Sequence, residues 1–442
     1  MIIYKVIFKP YLYINNNKKS RTGAPIYHIY ILPQTKYRLL HITEFPLEML
    51  YMIRLELDRK KRTIAVKEPS DVTSLHNGFY GQMKRGIIYL TPEEALYIMD
   101  IRNGRCYDDV GNEYSFNDVA SLFLKNKKLL ARSLTYKDWR DKGLVLRPLS
   151  EAEGNYGRTT LKDYVSSEWK LDAFSFEGLF FPFDLITLLD DEKTGKELYE
   201  RYWIGQFGTY KAAHRGRISK LDIYETIFLL RQGNLRLRGA KLKDVERFAE
   251  KRIKFFEDMY SVYDDWRRRG YVVKTGFKFG THFRLYFPGA SPIRSEDEWM
   301  HSKHVIHVFP RKHKLIISEW ARAIRVAHSV KKTFILAMPG RKIAVKANPK
   351  KARLDFLLYH RKGAGIETPK DGTPKYLMYS LTEDEYIGGE ELALALAECK
   401  GFGLEMMMAI ADRESSVTYY LIKEIKLLGS EYEYYEIEWV QP

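Results

Sequence analysis

Apolar positions change their spacing several times along the chain, and each change marks an element. Over residues 1–50 the runs YKVIFKPYLYI and PIYHIYIL alternate around a polar NNNKKSRTGAP, which predicts a β-hairpin with a wide turn. From 51 onward helical spacing enters. LTPEEALYIMDIRNG sets Thr91 as N-cap, Pro92 at the first helical position and Glu94 to close a capping box, with Gly104 as the stop. Ser115 and Asp118 then open a further helix in SFNDVASLF. Later, ISKLDIYETIFLLRQG ends at Gly233, and LKDVERFAEKRIKFFEDMYSVYDDWRRRGYVV closes on aromatic and charged residues. Residues 282–286 alternate as a strand ending at Tyr286, and HSKHVIHVF opens a second strand at His301. A helix is expected from Ser318 as N-cap through Ala321, Ile324 and Ala327, giving way just after Lys332 to the strand TFILAM. Such mixing predicts an α+β chain of repeated small mixed α/β units.

The pattern repeats. Trp139 and Trp266, and Gly143 and Gly270, share an offset of 127, while Gly104 and Gly233 stand 129 apart, the signature of a duplicated domain. The two copies part where GYVVKTG leads into strands and GLVLRPLSEAEGNYG into a polar linker. A third, partial copy follows: EWARAIRVAHSVKKTFILAM (319–338) aligns without gaps on ELALALAECKGFGLEMMMAI (391–410), an offset of 72. Its scaffold residues match, but Leu404 stands at the position of Lys332, Ala397 at that of Arg325 and Lys400 at that of His328. Tyr359 lies near the position of Tyr286 without partners.

A length of 442 residues, 45% of them hydrophobic, is ample for several packed domains. Lys plus Arg number 73 against 57 Asp plus Glu, and the net charge of +16 favours a polyanionic partner, nucleic acid first, over a merely basic surface. Cys106 and Cys399 stand far apart with no CxxC, so no disulfide framework or zinc site is expected, which suits a reducing cytoplasm. FEGLFFPFDLITLL (176–189) is too short, and too charged at Glu177 and Asp184, to predict a membrane span.

Chemistry concentrates in residues 271–338. Tyr286, His301 and Lys332 supply a phenol, an imidazole and an ammonium beside further cations, a set that suits metal-free attack of a ribose 2′-hydroxyl on its own phosphate. Lone Tyr, His and Lys residues are common, and packed or solvated side chains are the competing reading. Arg325, His328 and Lys332 recur at roughly one helical face. Three ordered motifs add specificity: GYVVKTGFKFGTHFRLY, a His-Ser pair at the start of a strand, and RVAHSVKK together resemble the catalytic core of archaeal tRNA-splicing endonucleases. The resemblance implies a catalytic triad of Tyr286, His301 and Lys332, exposed in a cleft, with no metal and no cofactor. Lys331 departs from the usual Arg and loses its planar fork. The loop between Tyr286 and His301 is longer than usual and carries Glu296, Asp297 and Glu298.

By that resemblance the chain divides into a β-rich extension (1–50), a first N-terminal-type repeat (51–150), a linker (151–173), a second such repeat (174–270), a catalytic domain (271–345), and a linker with a degenerate catalytic-type domain (346–442). It is similar to the three-unit, homodimeric archaeal form. Implied roles are Tyr286 as general base, His301 as general acid and Lys332 as the cation on the phosphorane, giving a 2′,3′-cyclic phosphate and a 5′-hydroxyl. A phenol ordinarily ionises near 10, so Tyr286 needs nearby cations to lower it. The implied substrate is precursor tRNA folded as a bulge-helix-bulge, with Arg325 stacking on a bulged base. Lys211, Arg215 and Arg217 ahead of a helix form a phosphate clamp or a solvated face. Asp412 and Glu414, in a loop of the third copy, correspond to the acidic loop that docks a partner in the family. Rival readings are a non-catalytic basic RNA-binding scaffold and a metal-dependent nuclease.

Overall fold

The computed structural model describes residues 52–442 other than 168–169, 211, 213–214, 294–300, 347 and 350–351, together with the backbone at 14–15 and 28–29. It divides into two units, 1–53 and 54–442. Within the first, Ile14–Asn15 pairs antiparallel with His28–Ile29. The remainder of the expected hairpin lies outside the described residues.

The second unit mixes helices with three larger sheets, an α+β arrangement. Gln82–Lys84, Ile87–Leu90, Thr63–Val66, Ile53–Asp58, Gly104–Asp108 and Glu113–Tyr114 form one sheet in that order, beside the helices Pro92–Ile101 and Leu129–Asp141. Gln206–Phe207, Ser219–Leu221, Ile186–Leu189, Phe176–Phe181 and Leu235–Leu237 form a second, beside Ile223–Arg231 and Phe256–Arg268.

The third sheet has 11 strands and runs through the rest of the unit. Its path begins Val272–Thr275, Phe283–Tyr286, His304–Val308, Thr333–Met338 and Glu433–Val440. It continues through Val417–Leu427, Glu405–Ala411, Tyr376–Thr382, Phe356–Leu358 and Leu146–Pro148. Each side of this path holds one parallel pair, His304–Val308 with Thr333–Met338 and Tyr376–Thr382 with Glu405–Ala411. A parallel pair needs a long crossover, and a helix supplies each one, Ile317–Ser329 and Gly389–Phe402. Strand alternation then sends Phe334, Leu336 and Met338 to the core under these two helices, and Ile335 and Ala337 to the opposite core with Tyr260, Tyr263 and Trp266. Burial on both faces explains why the run FILAM after Thr333 is continuously apolar.

The first helical turns are built as the capping signals foretell. The Thr91 hydroxyl accepts from the Glu94 amide at 3.3 Å while the Glu94 carboxylate accepts from the Thr91 amide at 2.9 Å. Asp222 and Glu225 repeat the exchange at 2.9 and 3.1 Å. Each glutamate has a second duty. Glu94 also accepts from the Gly81 amide at 2.8 Å and pairs with Arg147 at 3.5 Å, and Arg147 donates to the Gly81 carbonyl at 2.6 Å. Glu225 likewise accepts from the Gly205 amide at 2.9 Å and from Lys274 at 2.6 Å, and Lys274 donates to the Gly205 carbonyl at 2.9 Å. All four charged side chains are buried. Burial pulls the Lys274 ammonium below its usual range, against the Glu225 charge that holds it up.

Three expectations are corrected. Ser318 is not the N-cap: the helix starts at Ile317 behind Ile316, and no side chain caps it. Backbone carbonyls of Glu385 and Glu383 accept from the amides of Ile317 and Ser318 at 2.9 and 3.0 Å, which removes the need for a capping oxygen. GLVLRP does not run out into a linker, because Leu146–Pro148 pairs antiparallel with Phe356–Leu358 at the sheet's far edge. Nor is 151–173 only a connector, since Lys162–Tyr164 pairs in parallel with Val417–Leu427.

Removing one partner of a buried ion pair strands the other charge. Lys274→Ala is therefore expected to lower stability by about 3–5 kcal/mol, read as a drop in the denaturant midpoint at unchanged slope.

Candidate active site

Three elements bring the chemically useful side chains together. Tyr286 ends the strand Phe283–Tyr286 opposite Val272, and its ring lies 4.5 Å from that of Trp203. Lys332 follows the helix Ile317–Ser329, whose end is folded by two backbone bonds: the Lys331 amide donates to the His328 carbonyl at 2.9 Å and the Lys332 amide to the Ala327 carbonyl at 3.0 Å. That is a Schellman ending, which needs a left-handed residue at its turn. Lys331 takes that conformation at φ 54°, where the corresponding turn after Gly389–Phe402 uses Gly403 at φ 64°. The reversal carries Lys332 off the helix, so it does not share a helical face with Arg325 and His328 as the spacing suggested.

Ser302 joins the two. The Lys332 ammonium donates to the Ser302 hydroxyl at 2.9 Å and to the Ser302 carbonyl, and the Ser302 hydroxyl lies close enough to the Tyr286 phenol to bear on its ionisation. His301 is the adjoining residue, exposed in the bend before His304–Val308. Phenol and ammonium thus meet at the buried Ser302, and the imidazole belongs to its exposed neighbour in sequence. Sequence reasoning passed over Ser302 as a working residue, and the His-Ser pairing was the only signal for it.

Electrostatics distinguishes the groups. Tyr286 is only 5% exposed, not open in a cleft as expected. Burial pushes its phenol above 10, against smaller lowering effects from the Arg284 guanidinium and the Ser302 hydroxyl. The cations nearby therefore do not activate it as the sequence required, and it holds its proton at neutral pH. Burial, then Arg284, pulls the Lys332 ammonium below its ordinary value. Lys332 also lies 4.8 Å from the Phe279 ring centre. Arg284 was missed from the sequence, although its place in the FRLY run put it two residues from Tyr286.

Four histidines crowd this region, and three are spent on the core. Burial lowers His282 and His304 to about 4 and His307 to about 3, and the His282 Nδ1 accepts from the Val308 amide at 2.8 Å. These rings are neutral at pH 7 and enclosed. His301 alone of the four is exposed.

The remaining expected residues lie elsewhere. Arg325 is exposed on the helix Ile317–Ser329, where its charge bears on Tyr420. Arg215 is exposed in the connection between Gln206–Phe207 and Ser219–Leu221, and Arg217 pairs with Glu192 at 3.6 Å. Lys211, Glu296, Asp297 and Glu298 lie outside the described residues. Asp412 shapes its own loop by accepting from the amides of Glu414 and Ser416 at 2.9 and 2.8 Å, and Glu414 is exposed. No group of three or more His, Cys, Asp or Glu side chains among the described residues is arranged to hold a metal ion. No described helix is long and apolar enough to cross a membrane.

On the other half of the sheet the chain covers the turn that ends Gly389–Phe402. Tyr359 stands opposite Val145, donating its amide to that carbonyl at 3.0 Å, and Leu404 occupies the position after the Gly403 turn. Over them lies the strap 153–160. The Tyr156 and Arg158 amides donate to the carbonyls of Phe402 and Gly403 at 2.8 and 2.7 Å, and the Arg158 guanidinium donates to Thr373. Even a Cβ on Gly403 would fall 2.3 Å from Asn155.

The family profile of the tRNA intron endonuclease, catalytic C-terminal domain, matches residues 256–346, which include Tyr286, His301, Ser302 and Lys332. The tRNA-splicing endonuclease of Thermococcus gammatolerans is 34% identical over 139 residues, 30% of this chain and 78% of that protein. This chain belongs to the tRNA-splicing endonuclease family. Membership places it in that enzyme class. The tRNA-splicing endonuclease of Methanopyrus kandleri is 34% identical over 151 residues, 33% of this chain and 76% of the relative. That of Methanococcoides burtonii is 35% identical over 153 residues, 34% of this chain, and there the match spans only 41% of the relative's length.

A left-handed non-glycine residue costs about 1–2 kcal/mol, part of which glycine returns through its freer unfolded chain. Lys331→Gly is expected to raise stability by about 0.5–1 kcal/mol in a chemical melt; a loss instead would mean that the lysine side chain holds the turn.

Proposed function

We propose that the chain cleaves intron-containing precursor tRNA at bulge-helix-bulge junctions without a metal ion, leaving 2′,3′-cyclic phosphate and 5′-hydroxyl ends. The observation that carries the reading is the Ser302 junction, where the Tyr286 phenol and the Lys332 ammonium meet beside His301. In-line attack of a 2′-hydroxyl needs a proton acceptor, a proton donor at the leaving 5′-oxygen and a cation on the equatorial oxygens. Tyr286 takes the first role, His301 the second and Lys332 the third, with Arg284 adding positive charge beside the phosphate. The cleaving atoms come wholly from the substrate: the 2′-oxygen bonds to phosphorus as the phosphorus–5′-oxygen bond breaks.

A phenol held above 10 ionises by roughly tenfold more per pH unit throughout the range below it. In His301→Ala, where no general acid loses its proton to offset the gain, the residual cleavage rate should therefore climb from neutral toward alkaline pH, and adding Tyr286→Phe should flatten that climb. Incubation with a bulge-helix-bulge RNA in excess chelator, followed by identification of the ends, tests the whole reading. Tyr286→Phe, His301→Ala and Lys332→Ala are each expected to slow cleavage by about 100-fold or more. Binding without cutting by the parent chain would instead support an RNA-binding scaffold. Arg325 and Arg215 are assigned to RNA contact, Arg325 against an unpaired base and Arg215, with Lys211, against phosphate.

The same reading gives the architecture. The Glu94–Arg147 and Glu225–Lys274 clusters, the two parallel pairs and the offset of 72 support the three-unit form, a duplicated N-terminal-type domain with one catalytic and one degenerate catalytic-type domain, the last covered by the strap. One active set per chain then pairs into two in a homodimer, matching the two bulges of the substrate. Asp412 is committed to its loop, so the docking charge falls to Glu414. Glu414→Lys is expected to yield monomers on sizing; a persistent dimer that still removes introns would end this part of the proposal.

A further inference from the structure

The turn that links Val272–Thr275 to Phe283–Tyr286 carries an aromatic side chain left almost wholly exposed. Phe277, Lys278 and Phe279 form a single 3-10 turn. It is held by the Gly276 amide on the His282 carbonyl at 2.8 Å and the Phe279 amide on the Gly276 carbonyl at 2.8 Å. Two glycines make it possible: a Cβ on Gly276 would lie 2.6 Å from Thr281, and Gly280 closes the turn at φ 64°. With three residues per turn, successive side chains point about 120° apart. Phe279 accordingly packs toward the core beneath Lys332, and Lys278 reaches to 4.6 Å from the Tyr210 ring centre. Phe277 is left 92% exposed. Tyr210 is itself 53% exposed and close enough to Tyr286 to bear on its ionisation.

A phenylalanine displayed almost wholly to water contributes little to folding, yet it stands two residues from the ring that seats Lys332. Among the described residues, the same turn sets Lys278 against Tyr210 and Phe279 beneath Lys332, whose ammonium the Arg284 charge reaches. Flat apolar faces flanked by positive charge match an unstacked nucleobase on a phosphate chain. We propose that Phe277, with Lys278 and Tyr210, forms a stacking platform for one unpaired nucleotide beside the scissile phosphate, and so positions the substrate. The platform rests on the ribonuclease reading above, and it adds a determinant of where the strand lies, separate from the groups that move protons. It requires a base that can leave its stack, so it selects bulged or single-stranded RNA over continuous duplex.

The test uses the full chain and a bulge-helix-bulge RNA carrying 2-aminopurine at each unpaired position in turn. The parent chain should quench one position strongly. Phe277→Ala should abolish that quench and raise KM by about tenfold or more, whereas Phe277→Trp should restore both; Tyr210→Ala should weaken the quench in part. Unchanged KM and quench in Phe277→Ala would overturn the platform. So would a change of oligomeric state on sizing, because the ring would then be a contact between proteins. Quenching reads stacking without any cleavage, so a parent chain that quenches but does not cut counts against the catalytic reading alone and leaves the platform standing.

Discussion

The backbone ladder between Thr333–Met338 and Glu433–Val440 runs from Phe334 opposite Ile437 to Met338 opposite Glu433, and it joins two half-sheets that would each end in a bare apolar edge. Everything at the site hangs from that join. Thr333–Met338 fixes His304–Val308 by parallel pairing, the Lys303 carbonyl accepts from the Thr333 amide at 2.9 Å, and the Ser302 bridge between Tyr286 and Lys332 follows directly. One buried carboxylate clasps the seam: Glu433 accepts from Arg311 on the catalytic side and from Lys400, at 3.1 Å, on the other.

Burial is put to opposite uses on the two sides of this join. On one, it shifts the groups proposed to react, raising the Tyr286 phenol and lowering the Lys332 ammonium, while it holds the three neighbouring histidines neutral. On the other, Leu404 follows the Gly403 turn and a strap of the chain's own backbone is held against that turn by hydrogen bonds. The difference is local, in a handful of side chains and one segment, while the strand order around both places is the same.

Local signals were legible from sequence and distant ones were not. The capping box at Thr91 and the strand TFILAM depend on residues within a few positions of one another, and the structure holds them as the pattern implies. The apparent cap at Ser318 misled because its amides are satisfied by carbonyls some 65 residues away, at Glu383 and Glu385. Tyr286 could not be recognised as buried, since its cover is Trp203 from another sheet's neighbourhood. Ser302 was hidden by its ordinary chemistry: only the shared contacts of Tyr286 and Lys332 make it a junction. Leu146–Pro148 was unreadable as a strand because it is short and its partner, Phe356–Leu358, lies about 210 residues later.

That last separation orders events during synthesis. The strand Leu146–Pro148 emerges early and has no neighbour until Phe356–Leu358 is made, so the repeat that carries it must wait with an open edge while the segment between them is translated and folds. Glu433–Val440, translated after every other described strand, then inserts into the middle of the sheet and not at its rim. A chain interrupted shortly before that strand is therefore more than slightly shortened. It is two half-finished sheets facing each other across a gap, with the edge that aggregates most readily exposed on both.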